Sequence, residues 1–384
     1  MLGRLFGIEI RLDLSVLVIF VLVAVSLASS LFPTWHPDWG PLLTWASALA
    51  AALVFFVSLL LHELSHSLMA KRQGIEVPRI TLFLFGGMAE MSAEPKTPRA
   101  EFLVAIVGPL ASFALAIAFA LLGSMLTPEG FMDRVVEDRE GAFSALGPLA
   151  TVCVWLAPVN LVLAVFNLVP GFPLDGGRVL RAFLWWWTGD LLKATRLAAM
   201  SGRLFAGALM AFGIVNLIWG RALEGIWYLV IGWFLSHIAA ASYQQMLLRV
   251  ALRGLVVGDL MRTHFESAEA SMPLESFIER QLLRSAQSLW PVLAHGALVG
   301  FVSQSDIARH AESERARLTV RDVMRPLAEM RVLAPTLAGP DAFEQLAAMA
   351  DEPVPVLDGS ALVGLLHASD IFRFLSLHRM RLAP

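Results

Sequence analysis

The chain has 384 residues, 57% of them hydrophobic and 16% charged, with a mean hydropathy of +0.68. Soluble domains average roughly 45–50% apolar and about 25% charged, so a soluble enzyme, a disordered chain and a collagen-like repeat are excluded. A net charge of −3 provides no basic field for nucleic acid, and the single cysteine, Cys153, leaves no disulfide framework.

Residues 14–32 form 19 uncharged positions. At about 1.5 Å per residue this run crosses a hydrocarbon core of about 30 Å. It is too long for a signal-peptide core and is followed by further apolar segments at 41–70, 102–126, 149–168, 204–220 and 225–243. The chain is therefore predicted to form a polytopic α-helical membrane bundle of about six spans. Fourteen Arg and Lys residues, from Arg4 to Arg253, collect on the side of the N-terminus, against Arg134, Arg139 and Arg221 on the other. This bias predicts that both termini are cytoplasmic. Trp35 and Trp39 then lie at the outer interface, and Trp185, Trp186 and Trp187 near the inner one on a short surface-lying helix.

The second span ends in His62-Glu63-Leu64-Ser65-His66. Helical positions i and i+4 share a face, so both imidazoles reach one metal ion while Glu63 faces a water bound to it. Zinc takes neutral imidazole and acidifies its water, and a carboxylate then manages the proton. These ionisable groups follow an apolar run in which each unpaired charge costs at least about 2.5 kcal/mol, so a purely structural role is disfavoured. Beyond them, two β-prone runs in 79–91 flank Gly86-Gly87, a two-residue hairpin signal. Gly108-Pro109 in the third span reads as a kink and close-packing point, and 129–140 as a solvated outer loop. Asn160 and Asn216 are expected to bond between helices, and His237 to be packed or partnered within the bundle rather than to be a metal ligand.

The fourth span ends in Asn167-Leu-Val-Pro-Gly-Phe-Pro-Leu-Asp175-Gly-Gly-Arg178. Non-helical backbone at membrane depth is tolerated around a cavity or a site. Asp175 is thus a candidate third metal ligand, at the same depth as His62; the simpler alternative is that it caps the next helix.

From about residue 250 the composition becomes that of a soluble α/β domain with an internal repeat. Residues 258–263 match 321–326, and 298–310 match 362–374, at offsets of 63 and 64. Each unit has a helical stretch, two short strands (290–294 with 297–303, and 353–357 with 361–366), and a closing helix. The expected domains are 1–250, 251–317 and 318–384.

The two membrane motifs together resemble the site-2 protease (M50-like) family of intramembrane zinc metalloproteases. The repeated tail resembles a tandem pair of cystathionine-β-synthase (CBS) domains, an arrangement found in the prokaryotic branch of that family. The resemblance implies one zinc ion per chain on His62, His66 and Asp175, with Glu63 as general base and Asn167 helping to position substrate. It implies a location in a prokaryotic cytoplasmic membrane, a membrane-spanning protein as substrate, and regulated intramembrane proteolysis. In that setting the 79–91 hairpin either closes the cytoplasmic face or, through Phe85, Gly86 and Gly87, offers an edge strand to extended substrate. The CBS resemblance implies ATP, ADP or AMP binding, with Ser303, Asp306 and Asp370 at the positions that contact nucleotide. His367 departs from the hydroxyl residue expected in the second unit. Alternatively the tail forms a homodimer or docks substrate. A separate function class stays open: a CBS-gated metal transporter or channel using the same His and Asp cluster.

Overall fold

The computed structural model describes residues 3–83, 86–347 and 352–374, which fall into two compact units, 1–244 and 245–384. Among the described residues six helices are long and apolar enough to cross a membrane: α1 (Leu14–Trp35), α2 (Pro41–Arg72), α3 (Pro98–Leu126), α4 (Pro148–Asn167), α6 (Leu191–Ile218) and α7 (Ala222–Ala251). Between α4 and α6 runs the shorter amphipathic α5 (Asp175–Thr188), which leaves Trp186 and Trp187 exposed. The starts of these helices are written locally. The Asp13 carboxylate accepts from the Ser15 N–H at 2.9 Å, and the Thr97 hydroxyl from the Ala100 N–H at 3.2 Å. Proline occupies the first position of α2 and α4, where no N–H is needed.

A mixed four-stranded sheet lies against the end of α2 that carries its two histidines. Its strands are β1 (Gly3–Leu5), β2 (Ile8–Leu12), β3 (Arg79–Phe83) and β4 (Gly86–Glu90), in that order across the sheet. The N-terminal hairpin turns at Phe6 and Gly7, both at positive φ, as a tight two-residue turn requires. β2 runs parallel to β3, and β3 pairs antiparallel with β4, so β4 is an edge strand. Ile8, Ile10, Ile80 and Leu82 pack against Phe56, Leu59, Leu64 and Val104 in one core.

Several local expectations need correction. Gly86 and Gly87 are not the turn: they are paired within β4, opposite Phe83 and Leu82. The reason is room, because a Cβ at Gly87 would lie 2.7 Å from Glu63 Cδ. Phe85 lies outside the described residues. Asn160 and Asn216 each donate to a carbonyl one turn back on their own helix, Leu156 and Phe212, and not across to another helix. His237 is exposed and stacks on Trp233.

The second unit contains a sheet of β5 (Ala268–Glu269), β6 (Leu289–Ala294), β7 (Ala297–Ser303) and β8 (Arg325–Pro326), and a separate pair β9 (Val354–Asp358) and β10 (Ala361–Leu366). The repeat is visible in detail. Short helices Val257–Leu260 and Val320–Val323 both carry an aspartate as their third residue, Asp259 or Asp322, which accepts from the N–H of the residue before the helix, Val256 or Thr319, at 2.9 and 2.8 Å.

Candidate metal centre

Three elements converge towards the C-terminal end of α2. His62 and His66, one turn apart, are 2% and 4% exposed. Asp175 reaches them from the first residue of α5: its Oδ2 lies 3.1 Å from Nε2 of each ring, and the two Nε2 atoms are 3.2 Å apart. The Asp175 side chain caps nothing; Leu174 is the N-cap residue of α5 and makes no side-chain bond.

The backbone before Asp175 is folded tightly enough to require glycine. A Cβ at Gly177 would strike the backbone of Gly171 and Phe172, and one at Gly202 in α6 would strike the Phe172 carbonyl. The Ser201 hydroxyl donates to the Pro170 carbonyl, which ties this loop to α6. Burial works against a charge on Asp175, but imidazoles that carry a proton on Nε2 outweigh it and hold the carboxyl below the ordinary carboxylate range; a metal cation in place of those protons would act in the same sense.

The far sides of the rings fix their roles. His66 Nδ1 lies 2.6 Å from the Val104 carbonyl, which can only accept, so the proton is on Nδ1 and Nε2 of the neutral ring offers a lone pair. His62 Nδ1 lies 2.8 Å from the Ser112 hydroxyl. Both partners belong to α3, as does Gly108, where any Cβ would collide with both imidazoles.

The cluster fits a tetrahedral zinc ion. Zinc–ligand distances of about 2.0–2.2 Å put adjacent donor atoms roughly 3.3 Å apart, close to the 3.1–3.2 Å seen here. Lone pairs this close repel unless a cation lies among them. Two neutral imidazoles and one carboxylate suit a borderline divalent metal, with Nδ1 of each ring held by an outer partner.

Glu63 lines the same cavity of about 620 Å³ as His62, His66 and Asp175, together with Asn167. Gly86, Gly87 and Met88 of β4 form one wall, and Ile19, Phe55, Leu163 and Phe166 make much of the rest apolar. Gly87 brings the edge strand against the Glu63 carboxylate. The Asn167 amide donates to Leu163 O at 3.0 Å.

A second group of buried charges was not anticipated. Glu101, 1% exposed, accepts from Arg181 Nη2 at 2.6 Å and Arg178 Nε at 3.3 Å. From the sequence alone Glu101 is an acid in the first turn of a helix, a position the helix dipole favours without any partner.

In the second unit the nucleotide candidates separate. Asp306 is enclosed, accepting from the Ser303 hydroxyl at 2.6 Å and Arg325 Nε at 3.1 Å. Arg325 also donates to Glu352 at 2.8 Å, and Ser305 does so too at 2.8 Å. Asp370 instead borders an open cavity of about 560 Å³ with Arg262, His264, Phe265 and His367, and is paired to Arg262 Nε at 2.6 Å.

Comparison with known proteins places this geometry. Residues 50–211 match the model of peptidase family M50, and residues 257–313 that of the CBS domain. Rip3 of Mycobacterium tuberculosis is 34% identical over 99% of this chain and 93% of its own length. The zinc metalloprotease MJ0392 of Methanocaldococcus jannaschii is 28% identical over 99% and 97%. The solved site-2 protease of the latter organism aligns with 63% of this chain and 94% of its own at 29% identity, with a TM-score of 0.43. The transporter alternative is thereby not favoured. The chain belongs to peptidase family M50, the site-2 protease family of membrane zinc metalloproteases, and carries a CBS domain in its C-terminal region.

Proposed function

We propose that His62, His66 and Asp175 hold one zinc ion and that Glu63 is the general base for hydrolysing a peptide bond in a membrane-spanning segment of another protein. The observation that carries this reading is the convergence of three donor atoms within 3.2 Å beside a fourth ionisable group, three of the four groups following a long apolar run in α2. When bound, zinc supplies Lewis-acid polarisation and acidifies water. Glu63 accepts the proton of the attacking water and returns it to the leaving amide nitrogen. Asp175 stays ionised and contributes negative charge. The two imidazoles keep their protons on Nδ1 throughout, held by Val104 and Ser112.

The apolar cavity suits a membrane segment, and β4 suits its unwinding. Peptide bonds in a helix are shielded, so substrate must be held extended, and an edge strand supplies main-chain partners. Gly86 and Gly87 let that strand pass beside Glu63. With its amide committed to Leu163, Asn167 keeps its carbonyl oxygen for a substrate N–H.

Residues 1–250 form the protease, with 251–317 and 318–384 as two CBS repeats that modulate it. Both termini and the tail face the cytoplasm of a prokaryote in this reading, which the Arg and Lys distribution supports. Adenine nucleotide binds at the Asp370 cavity, since Asp306 is already enclosed by Ser303 and Arg325. Substituting Glu63→Gln tests the central claim. Purified protein should retain one zinc per chain, while membrane proteins cleaved in wild-type cells accumulate uncut. Equal processing by a zinc-loaded variant would remove Glu63 from the role of base.

A further inference from the structure

Residues 101, 104, 108 and 112 of α3 are spaced three and four apart, so they share one face of the helix. Three of them serve the two histidines: the Val104 carbonyl and Ser112 hydroxyl bind Nδ1 atoms, and Gly108 leaves the rings room. The fourth, Glu101, points to the other ligand-bearing element. Arg178 lies one turn beyond Asp175 on α5, and Arg181 one turn further, so all three share a face of α5. Both guanidinium groups converge on the same oxygen of Glu101, Oε1, at 3.3 and 2.6 Å. Arg178 also lines the catalytic cavity.

We propose that this clamp sets the position of α5 on α3, which makes Glu101 a positioning residue of the metal centre. The inference rests on the metal-site reading above. Two arginines one turn apart on one carboxylate fix both the rotation of α5 and its translation along α3. Asp175 is carried on the same rigid turn, and its Oδ2 is thereby held equidistant, at 3.1 Å, from both imidazoles. A buried ion pair of this kind roughly breaks even in stability against apolar residues of the same volume, so its contribution is directional. Removing the carboxylate leaves the partly buried Arg178 facing the buried Arg181, with the more exposed Glu94, 3.9 Å from Arg181, too distant to replace both contacts; α5 relieves the two cations by moving away from α3, taking Asp175 with it. One helix that supplies no ligand thus aligns all three.

The test uses the full chain purified in detergent, comparing wild type, Glu101→Gln and Arg178→Gln. Zinc retention is measured against a competing chelator, the absorption spectrum is recorded with cobalt(II) in place of zinc, and thermal midpoints are followed. Both variants should release zinc about tenfold or more readily, as loss of an outer partner does elsewhere. Their saturated cobalt spectra should differ from wild type because one ligand is displaced. Should Glu101→Gln fail to fold, Arg178→Gln decides, since Arg181 still pairs with Glu101. A lowered midpoint with wild-type zinc retention and cobalt spectrum would reduce the clamp to a structural ion pair and overturn the inference. A wild-type chain that binds neither metal overturns the metal-site reading itself.

Discussion

Gly108→Ala adds one methyl group to the middle of α3. On propensity alone it should stabilise that helix by about 0.5–1 kcal/mol. The surroundings reverse the sign. A Cβ there would stand 2.5 Å from His66 Cε1 and 2.8 Å from His62 Nε2, whereas carbon contacts are comfortable from about 3.5 Å. Both rings are pinned on their far sides by Val104 and Ser112, so they cannot swing clear without breaking those bonds. The atom met most closely is His66 Nε2, so α2 and α3 must separate by roughly 1 Å or more instead, an overpacking that costs about 1–3 kcal/mol. Metal sites tolerate about 0.2 Å of error in ligand distance, so a displacement several times larger empties the site. Zinc per chain, measured by elemental analysis of protein in detergent, should fall from one to nearly none. The thermal midpoint should move by no more than several degrees. A variant holding one zinc at wild-type affinity, with a raised midpoint, would refute the reasoning, because propensity would then be the only effect of the methyl.

Ser112→Ala removes the partner of His62 Nδ1 without adding bulk. Zinc affinity, measured by chelator competition, should drop about 10–100-fold. Gly87→Ala drives a methyl to 2.7 Å from Glu63 Cδ; cleavage should be lost while zinc content stays at one, and unchanged cleavage would remove β4 from the site. Calorimetry with AMP, ADP and ATP should show binding that Asp370→Ala abolishes and Asp306→Ala leaves intact. The reverse result would move the nucleotide site to the first repeat.

How far the sequence carries the argument depends on whether a residue's partner lies nearby in the chain. His62 and His66 were legible because four residues on a helix make one face, and because charge is costly in the apolar run around them. The strands β6, β7, β9 and β10 were legible from short apolar runs bounded by turns at His295-Gly296 and Gly359, all at positive φ. Glu101 was not, since its partners are 77 and 80 residues away and its own position looks satisfied. Gly86 and Gly87 misled for a physical reason. A tight turn and a close backbone approach both demand glycine, and only the position of Glu63 distinguishes them. The strand pair β1–β2 was missed because its partner, β3, is separated from it by two membrane spans.

The proposed ligands come from two stretches of chain, Asp175 lying 109 residues after His66. A bound ion therefore acts as a cross-link that closes a loop holding two whole membrane helices, α3 and α4. For a free chain, closing a loop of about 100 residues removes roughly 4–5 kcal/mol of entropy from the unfolded state. Membrane helices held in a bilayer have less freedom to lose, so the effect here is smaller, but it has the same sign. Chelation then loosens the fastening between the two halves of the bundle as well as abolishing hydrolysis. Proteolytic sensitivity of the loops at both ends of α3 should rise together with zinc loss.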